Sequence, residues 1–554
     1  MRAIVLSRDN QRCKECGELC AKGEADIHHL VPRAAGGMDD PANLITLCDG
    51  CHAARHPNLQ GTLARRVIER WGLRLAKWLD GQRDLAGLDD SLGAALRLLG
   101  VTRFRTPQLD VVLAALRGES LLLVSATGSG KSLCFHVPIL LGRGCGFIIS
   151  PLKALMSQQV SSLQKRKIPS TFINGDLDPN EKKIRYALLK DRAIKFLFCT
   201  PERFDGTMVR PAEVEEITRT RPSYLVIDEA HCIDRWGRDF RPNYGRLSAV
   251  RNALGDPPVL AFTATAGVES QKRILRSLGI PNARVVVTGV NRPNIALARL
   301  HDVDDGKRYS LIDEMLRIML QGRAMLFVPT VKVGLKVQDG LRSIGLDVPF
   351  FHSKLGTAND RDMLLGRFLG RLEPAANVVI CTNAFGMGLD LPNVRLVIHW
   401  QHPASVEDYL QEFGRAGRDG APAVAVLFTD DKDTRLLEFM ARLTVEKSGL
   451  DPDGKVAAFA AKWDGIKQMQ ERATARQSCF RSAIVDYFGE EQSARRKALA
   501  VRIVEWIFSR SSHILRAPGC CDKCDQVGVR TVIAWAARIW GVPRPAAKFN
   551  WPAR

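Results

Sequence analysis

Cysteine and histidine recur near both ends of the chain in patterns suited to holding metal. Cys13–Cys16 and Cys48–Cys51 form two CxxC pairs, the spacing at which four thiolates close a tetrahedron around a structural zinc ion. His28, His29 and Asn43 lie between the pairs, and His52 and His56 follow, one helical turn apart on one face. Four more cysteines come late, at Cys479, Cys520, Cys521 and Cys524. In the middle, Ala126-Thr127-Gly128-Ser129-Gly130-Lys131-Ser132 follows the apolar run SLLLVSA. Its glycines permit a tight loop whose amides cradle phosphate, Lys131 can reach the β and γ oxygens, and Ser132 can hold Mg²⁺. Downstream, YLVIDEAHC puts Asp228 and Glu229 at a strand end. Asp228 there suits the Mg²⁺ shell, Glu229 suits an attacking water, and His231 suits coupling to the next domain. The chemistry implied is hydrolysis of a nucleoside triphosphate.

The elements that must position these groups alternate. β-rich runs such as GFIISP, YLVIDEA, VLAFTAT, AMLFVP, VVICT and RLVIHW are separated by helical patterns, which implies parallel sheets with crossover helices. A chain of 554 residues is too long for one core. The expected divisions are a cysteine-histidine module at 1–56, a basic helical connector at 57–88, two α/β domains at 89–288 and 289–435, and a basic tail at 436–554. The first module is too short to fold well without metal. Cys134, Cys145, Cys199, Cys232 and Cys381 sit in apolar surroundings and are read as core thiols.

The net charge of +20 calls for a polyanionic partner. From Lys455 to Arg554 there are 18 Lys and Arg against 8 Asp and Glu, whereas the first 56 residues hold 7 against 8. A nucleic-acid track along the tail and a solvated basic surface both fit this distribution. No apolar run reaches the ~18 residues of a membrane span, and the opening MRAIVLSRDNQRC lacks a secretory apolar stretch. The chain is therefore expected to be cytoplasmic.

The run VIDEAHCIDRWGRDFRPNY resembles motif II and the aromatic-rich loop of the RecQ helicases. FRTPQ, SPLKALMSQQV, TPERF, FTATA, NRPNI, CTNAFGMGLDLPNV and YLQEFGRAGRDG extend the resemblance over roughly residues 90 to 430. It implies two RecA-like parallel-sheet domains driven by ATP and Mg²⁺. Arg415 and Arg418 would be arginine fingers that neutralise the transferring phosphate. In the aromatic loop, Trp236 and Phe240 offer stacking faces, and Arg238 and Arg241 offer contacts to DNA phosphates. The family usually has an aromatic residue stacking on adenine where Val101 stands, which leaves the base to Arg105 and Gln108.

The string CKEC…ADIHHLVPRAAGG…NLITLCDGCHAARH resembles HNH endonucleases of the four-cysteine type. The resemblance implies a ββα-metal module in which His29 is the general base, Asn43 fixes the loop, and His28, His52 and His56 hold a divalent ion. CFRSAIVDYFGE and CCDKC resemble the ends of the RecQ zinc-binding subdomain, with Cys479, Cys520, Cys521 and Cys524 as ligands of a second Zn²⁺. Pro518 occupies the position of the family's first late cysteine, and adjacent cysteines suit one metal awkwardly. About thirty residues follow Cys524, too few for the family's winged-helix and HRDC domains.

The expected function is an ATP-dependent 3′-to-5′ DNA helicase coupled to a metal-dependent endonuclease, acting on single-stranded, forked or duplex DNA. Two alternatives stay open. In one the N-terminal module is only a DNA-binding adaptor, and in the other the motor is a nucleotide-gated remodelling clamp. Repair, recombination and phage defence all suit such a fusion.

Overall fold

The computed structural model describes the chain except residues 21–24, 31–37, 49–50, 53–54, 56–87, 106, 127–128, 143, 152, 191–192, 202–216, 218–221, 234–246, 320, 353–354, 357, 384, 386–390, 392, 431, 476–477, 491–519, 526, 529–530 and 541–554. His56, Thr127, Gly128, Trp236, Arg238, Phe240 and Arg241 lie outside the described residues, as does nearly all of the connector.

Strand β1 (Ala25–His29) pairs antiparallel with β2 (Leu44–Cys48), His28 facing Ile45 and His29 facing Leu44. Helical backbone resumes at Cys51, His52 and Arg55, giving the ββα order that the HNH resemblance implies.

The first large sheet has seven strands: β3 (Leu121–Ser125), β4 (Gly146–Ile149), β5 (Ser170–Ile173), β6 (Phe196–Cys199), β7 (Tyr224–Ile227), β8 (Val259–Thr263) and β9 (Arg284–Thr288). They run parallel in the order β5-β6-β4-β7-β8-β3-β9. The second has six: β10 (Ile295–His301), β11 (Arg323–Phe327), β12 (Phe350–Phe351), β13 (Val378–Cys381), β14 (Val394–His399) and β15 (Ala423–Thr429). These are also parallel, in the order β10-β15-β14-β11-β13-β12.

Both sheets are buried on two faces, which is why their strands read as unbroken apolar runs. In β3, Leu122 and Val124 join one core while Leu121 and Leu123 join the other. β11 divides likewise, Met325 and Phe327 against Ala324 and Leu326. All five mid-chain cysteines are buried free thiols. Among the described residues no helix is long and apolar enough to cross a membrane.

Candidate active sites

The nucleotide cleft forms at the carboxyl ends of β3, β7 and β8, where a parallel sheet presents its loops. β3 leads into the phosphate loop, whose Gly130 adopts φ +81°. A Cβ there would also lie 2.6 Å from the Nε2 of Gln108. Both constraints select glycine. Gln108 Nε2 donates to the carbonyl oxygens of Ser129 and Gly130 at 3.1 Å, and its Oε1 accepts from the Arg105 amide at 2.7 Å. Val101, Arg103, Arg105, Gln108, Gly130 and Leu133 line part of a cavity of about 290 Å³ beside this loop. Gln108, expected at the base, lines this cavity and also bonds the phosphate loop.

Lys131 Nζ donates to the carbonyl oxygens of Ser125 and Ala126 at 2.8 and 3.3 Å. Burial lowers its pKa, opposed by the charges of Glu229 and Asp228, and Arg418 is near enough to lower it further. The charge of the second lobe's Arg418 is thus felt at Lys131 of the first. Asp228 is held at about 6 by burial and by Glu229, with Ser150 Oγ and Gln159 Nε2 at 3.4 and 3.5 Å. Glu229 adopts φ +50°, a left-handed backbone that costs a non-glycine residue energy and concentrates at functional sites. His231 Nδ1 lies 3.1 Å from Thr263 Oγ1 and 3.3 Å from Glu229 Oε2. It joins Glu229 to the FTATA run in its own lobe.

Arg415 and Arg418 follow the helix Val406–Phe413, and Arg415 is buried. Their loop is braced from the NRPN run. Arg292 donates to the carbonyl oxygens of Gly414, Ala416 and Gly417 at 3.2, 3.0 and 2.8 Å. Asn294 Nδ2 donates to those of Gly417 and Ala421 at 2.8 and 3.0 Å. The sequence showed NRPNI only as a matching string, with no sign of this bracing.

In the N-terminal module the Sγ atoms of Cys13, Cys16, Cys48 and Cys51 lie within 4.8 Å of one another, which fits a single tetrahedral cation. Strand alternation puts Asp26 and His28 on one face of β1. The rings of His28 and His52 are 5.5 Å apart, and His52 Nδ1 is 3.1 Å from Asp26 Oδ2. His29 Nε2 is 2.6 Å from Asp39 Oδ1. Asn43 ties the intervening loop: its Nδ2 donates to the Met38 carbonyl at 3.0 Å, and its own carbonyl accepts from the Leu30 amide at 2.9 Å. Sequence reasoning missed Asp26 and Asp39. Only the i, i+2 spacing of Asp26 and His28 on a strand could have signalled the first. Glu15 and Glu18 pair with Lys165 and Lys167 of the first lobe at 3.2 and 2.8 Å, which seats the module on the motor.

Cys479, Cys520, Cys521 and Cys524 also lie within 4.8 Å of one another, so both adjacent cysteines reach one centre. Arg299 pairs with Asp522 at 3.0 Å. Arg481 donates to the carbonyl oxygens of Cys520 and Arg292 at 2.8 Å. The cluster is thereby keyed to the second lobe.

Family models match three stretches: the DEAD/DEAH box helicase over residues 105–274, the helicase conserved C-terminal domain over 307–420, and the HNH endonuclease over 13–58. The probable ATP-dependent DNA helicase RecS of Bacillus subtilis is 36% identical over 62% of this chain and 67% of its own length. The ATP-dependent DNA helicase RecQ of Synechocystis is 35% identical, covering 60% of this chain and 70% of that protein. The chain belongs to the RecQ family of DNA helicases. It is an ATP-dependent DNA helicase of RecQ type with an HNH domain at its N-terminal end. RecQ of Haemophilus influenzae is 33% identical over 73% of this chain, which spans 62% of that protein's length. The DUF1998 helicase MrfA bound to DNA has a TM-score of 0.49 at 18% identity, covering 72% of this chain and 60% of that one.

Proposed function

We propose that the RecQ-type motor opens DNA in the 3′-to-5′ direction and that the HNH module cuts DNA with a divalent metal. The observation that carries the nuclease reading is the edge-on pair His28 and His52, ring centres 5.5 Å apart, with His29, next to His28 on β1, held by Asp39 of the following loop. Two imidazoles so close together suit ligands of one ion, and a third held separately by a carboxylate suits a base. An adaptor that only binds DNA needs neither arrangement.

In this reading His28, His52 and His56 hold the divalent ion, which when bound stabilises charge on the scissile phosphate and leaving oxygen. His29 takes the proton of the attacking water. Cys13, Cys16, Cys48 and Cys51 would hold one Zn²⁺, and the four late cysteines a second.

In the motor, residues 127–130 cradle the phosphates of ATP, and Ser132 and Asp228 hold Mg²⁺. Glu229 orients water, and Arg105 and Gln108 border the base. Lys131, Arg415 and Arg418 neutralise the transferring phosphate. Trp236, Arg238, Phe240 and Arg241 engage the single strand and license hydrolysis.

The test is cutting and unwinding of tailed, forked and blunt duplex DNA, with and without ATP, in Mg²⁺ and in Mn²⁺. His29→Ala is expected to abolish cutting while unwinding and ATPase stay near the parent's. Lys131→Ala is expected to abolish ATPase and the cutting of blunt duplex while cutting of pre-opened DNA survives. Cutting by His29→Ala at the parent's rate would make the module an adaptor, and unwinding only of 5′-tailed substrates would reverse the polarity.

A further inference from the structure

The helix Phe480–Phe488 starts at Cys479, its N-cap, and so springs from the late cysteine cluster in the second lobe. Its other end touches the first lobe. Tyr487 Oη donates to Glu407 Oε1 at 2.6 Å, and the same carboxylate oxygen accepts from the Gly267 amide at 3.4 Å. Gly267 ends the FTATAG run. A Cβ there would sit 2.6 Å from two ring atoms of Tyr487, so the phenol ring lies directly on this backbone. Gln271, itself buried, donates to the carbonyl oxygens of Ala266 and Phe488 at 2.8 and 3.0 Å. Two residues beyond the helix, Glu490 accepts from the Asn291 amide at the start of the second lobe.

The same run of first-lobe backbone reaches the hydrolytic carboxylate from its other side. Glu229 lies beside His231, and His231 lies 3.1 Å from Thr263 Oγ1. That oxygen accepts from the Thr265 amide at 3.1 Å. Three residues separate Thr263 from Gly267. A contact bridging two bodies breaks or re-forms when they rotate, so its energy biases the rotation.

We propose that Tyr487 and Glu407 are positioning residues that couple the nucleotide cleft to the second lobe, through the Thr263–Gly267 backbone. The pair holds that backbone against the helix anchored at Cys479, so a change at Glu229 is felt as a change in lobe orientation. Neither residue touches ATP. The proposal rests on the RecQ-type motor and is independent of the nuclease.

The experiment uses the full chain, with Tyr487→Phe keeping the ring but removing the hydroxyl, and Glu407→Ala removing its acceptor. Two readouts are taken: base pairs opened per ATP hydrolysed on a 3′-tailed duplex, and hydrogen exchange with and without a non-hydrolysable ATP analogue. In the parent the analogue is expected to protect both 129–133 and 480–488. In either variant protection of 129–133 and the KM for ATP persist, protection of 480–488 is lost, and the opening ratio falls about ten-fold or more, the scale of one charge-assisted hydrogen bond. The double variant should be no worse than the worse single. Retained protection of 480–488 in both variants overturns the proposal, as does a fall in ATP turnover that tracks the loss of unwinding at a constant ratio. A parent that opens no duplex yet shows the analogue-dependent protection, lost in both variants, would sink the unwinding reading and leave the coupling intact.

Discussion

The guanidinium of Arg292 donates to the carbonyl oxygen of Gly417 at 2.8 Å, and this contact fixes the loop that carries both candidate arginine fingers. Gly417 itself adopts φ +53°, and a Cβ on it would fall 2.4 Å from Asn294 Nδ2. The finger loop is therefore moulded on the NRPN run more tightly than on its own helix.

Removing that mould should slow chemistry more than it weakens binding. A finger is worth about 10³–10⁵ in rate, and about 1 Å of misplacement costs ~10²-fold. Arg292→Ala is expected to lower kcat for DNA-stimulated ATP hydrolysis by ~10²-fold, with KM for ATP within a few-fold of the parent. Arg292→Lys should recover little, because one ammonium cannot span three carbonyl oxygens. A kcat within about twofold of the parent in Arg292→Ala would refute the bracing role.

Gly130→Ala should remove ATP binding while leaving the fold. The new methyl meets Gln108 Nε2, and φ +81° is strained for alanine by about 1 kcal/mol or more. Adding Gln108→Ala relieves the clash but not the strain, so only partial recovery is expected. Equilibrium binding of a fluorescent ATP analogue checks this, and full recovery in the double variant would show that strain at Gly130 is immaterial.

How much of this was legible in the sequence follows from contact distance along the chain. The phosphate loop and Asp228-Glu229 are contiguous strings at strand ends, so local patterning located them. The cysteine quartets were legible from spacing, and even the adjacent Cys520 and Cys521 converge with Cys479 and Cys524. Arg292 was not, because its partners lie more than a hundred residues away and nothing local marks which carbonyls it will meet. Gln108 was placed at the right cavity, but its bonds to the carbonyl oxygens of Ser129 and Gly130 were not legible, since which backbone groups a side chain meets depends on loop curvature. Nor could strand alternation reveal that Asp26 meets His52, which arrives from a helix after β2.

Metal removal should act differently at the two ends. Among the described residues, the buried cluster at the centre of the N-terminal module has six members, and Cys13, Cys48 and Cys51 of these are themselves candidate ligands. Without metal that module has little left to fold around. The late cluster is instead tied to its lobe by the Arg299–Asp522 pair and by Arg481. Elemental analysis is expected to give two zinc ions per chain. Cys16→Ser should lose one and unfold the module without lowering ATPase more than about twofold. A single zinc in the parent would remove the second site.

Asp433 provides a pH test away from any candidate ligand. Burial lifts its pKa to about 7, aided by Asp430 and Asp305 and opposed by Arg308. Its carboxylate accepts from the Asp430 amide at 2.9 Å. The folded state thus binds this proton more tightly than the unfolded chain, whose Asp titrates near 3.9. The contribution is fully favourable below about pH 4 and is lost as pH rises through 7. Asp433→Asn keeps an acceptor for the amide and deletes the buried charge. Its melting temperature should therefore gain on the parent's as pH rises from 5.5 to 8, by about 2–4 °C for ~1 kcal/mol after discounting partial exposure. A gain independent of pH would show that the carboxyl is already ionised in the folded protein at pH 5.5.

The last prediction concerns Asp26, which stands 3.1 Å from His52 Nδ1 on the face of β1 that carries His28. A carboxylate on one imidazole nitrogen fixes the tautomer, so the other nitrogen presents its lone pair. If His52 is a ligand of the divalent ion, Asp26 sets its aim and basicity without touching DNA. Outer partners of this kind are worth about 10–100-fold in metal affinity. Asp26→Ala should therefore raise the Mn²⁺ concentration for half-maximal cutting by about that factor, with saturating Mn²⁺ restoring most of the rate. Asp39→Ala should behave oppositely, because it frees His29, the candidate base. There the maximal rate falls while the Mn²⁺ requirement stays put. The pair of titrations separates the two histidines' roles. Identical Mn²⁺ curves for the parent and Asp26→Ala would mean that His52 does not depend on this carboxylate for its position.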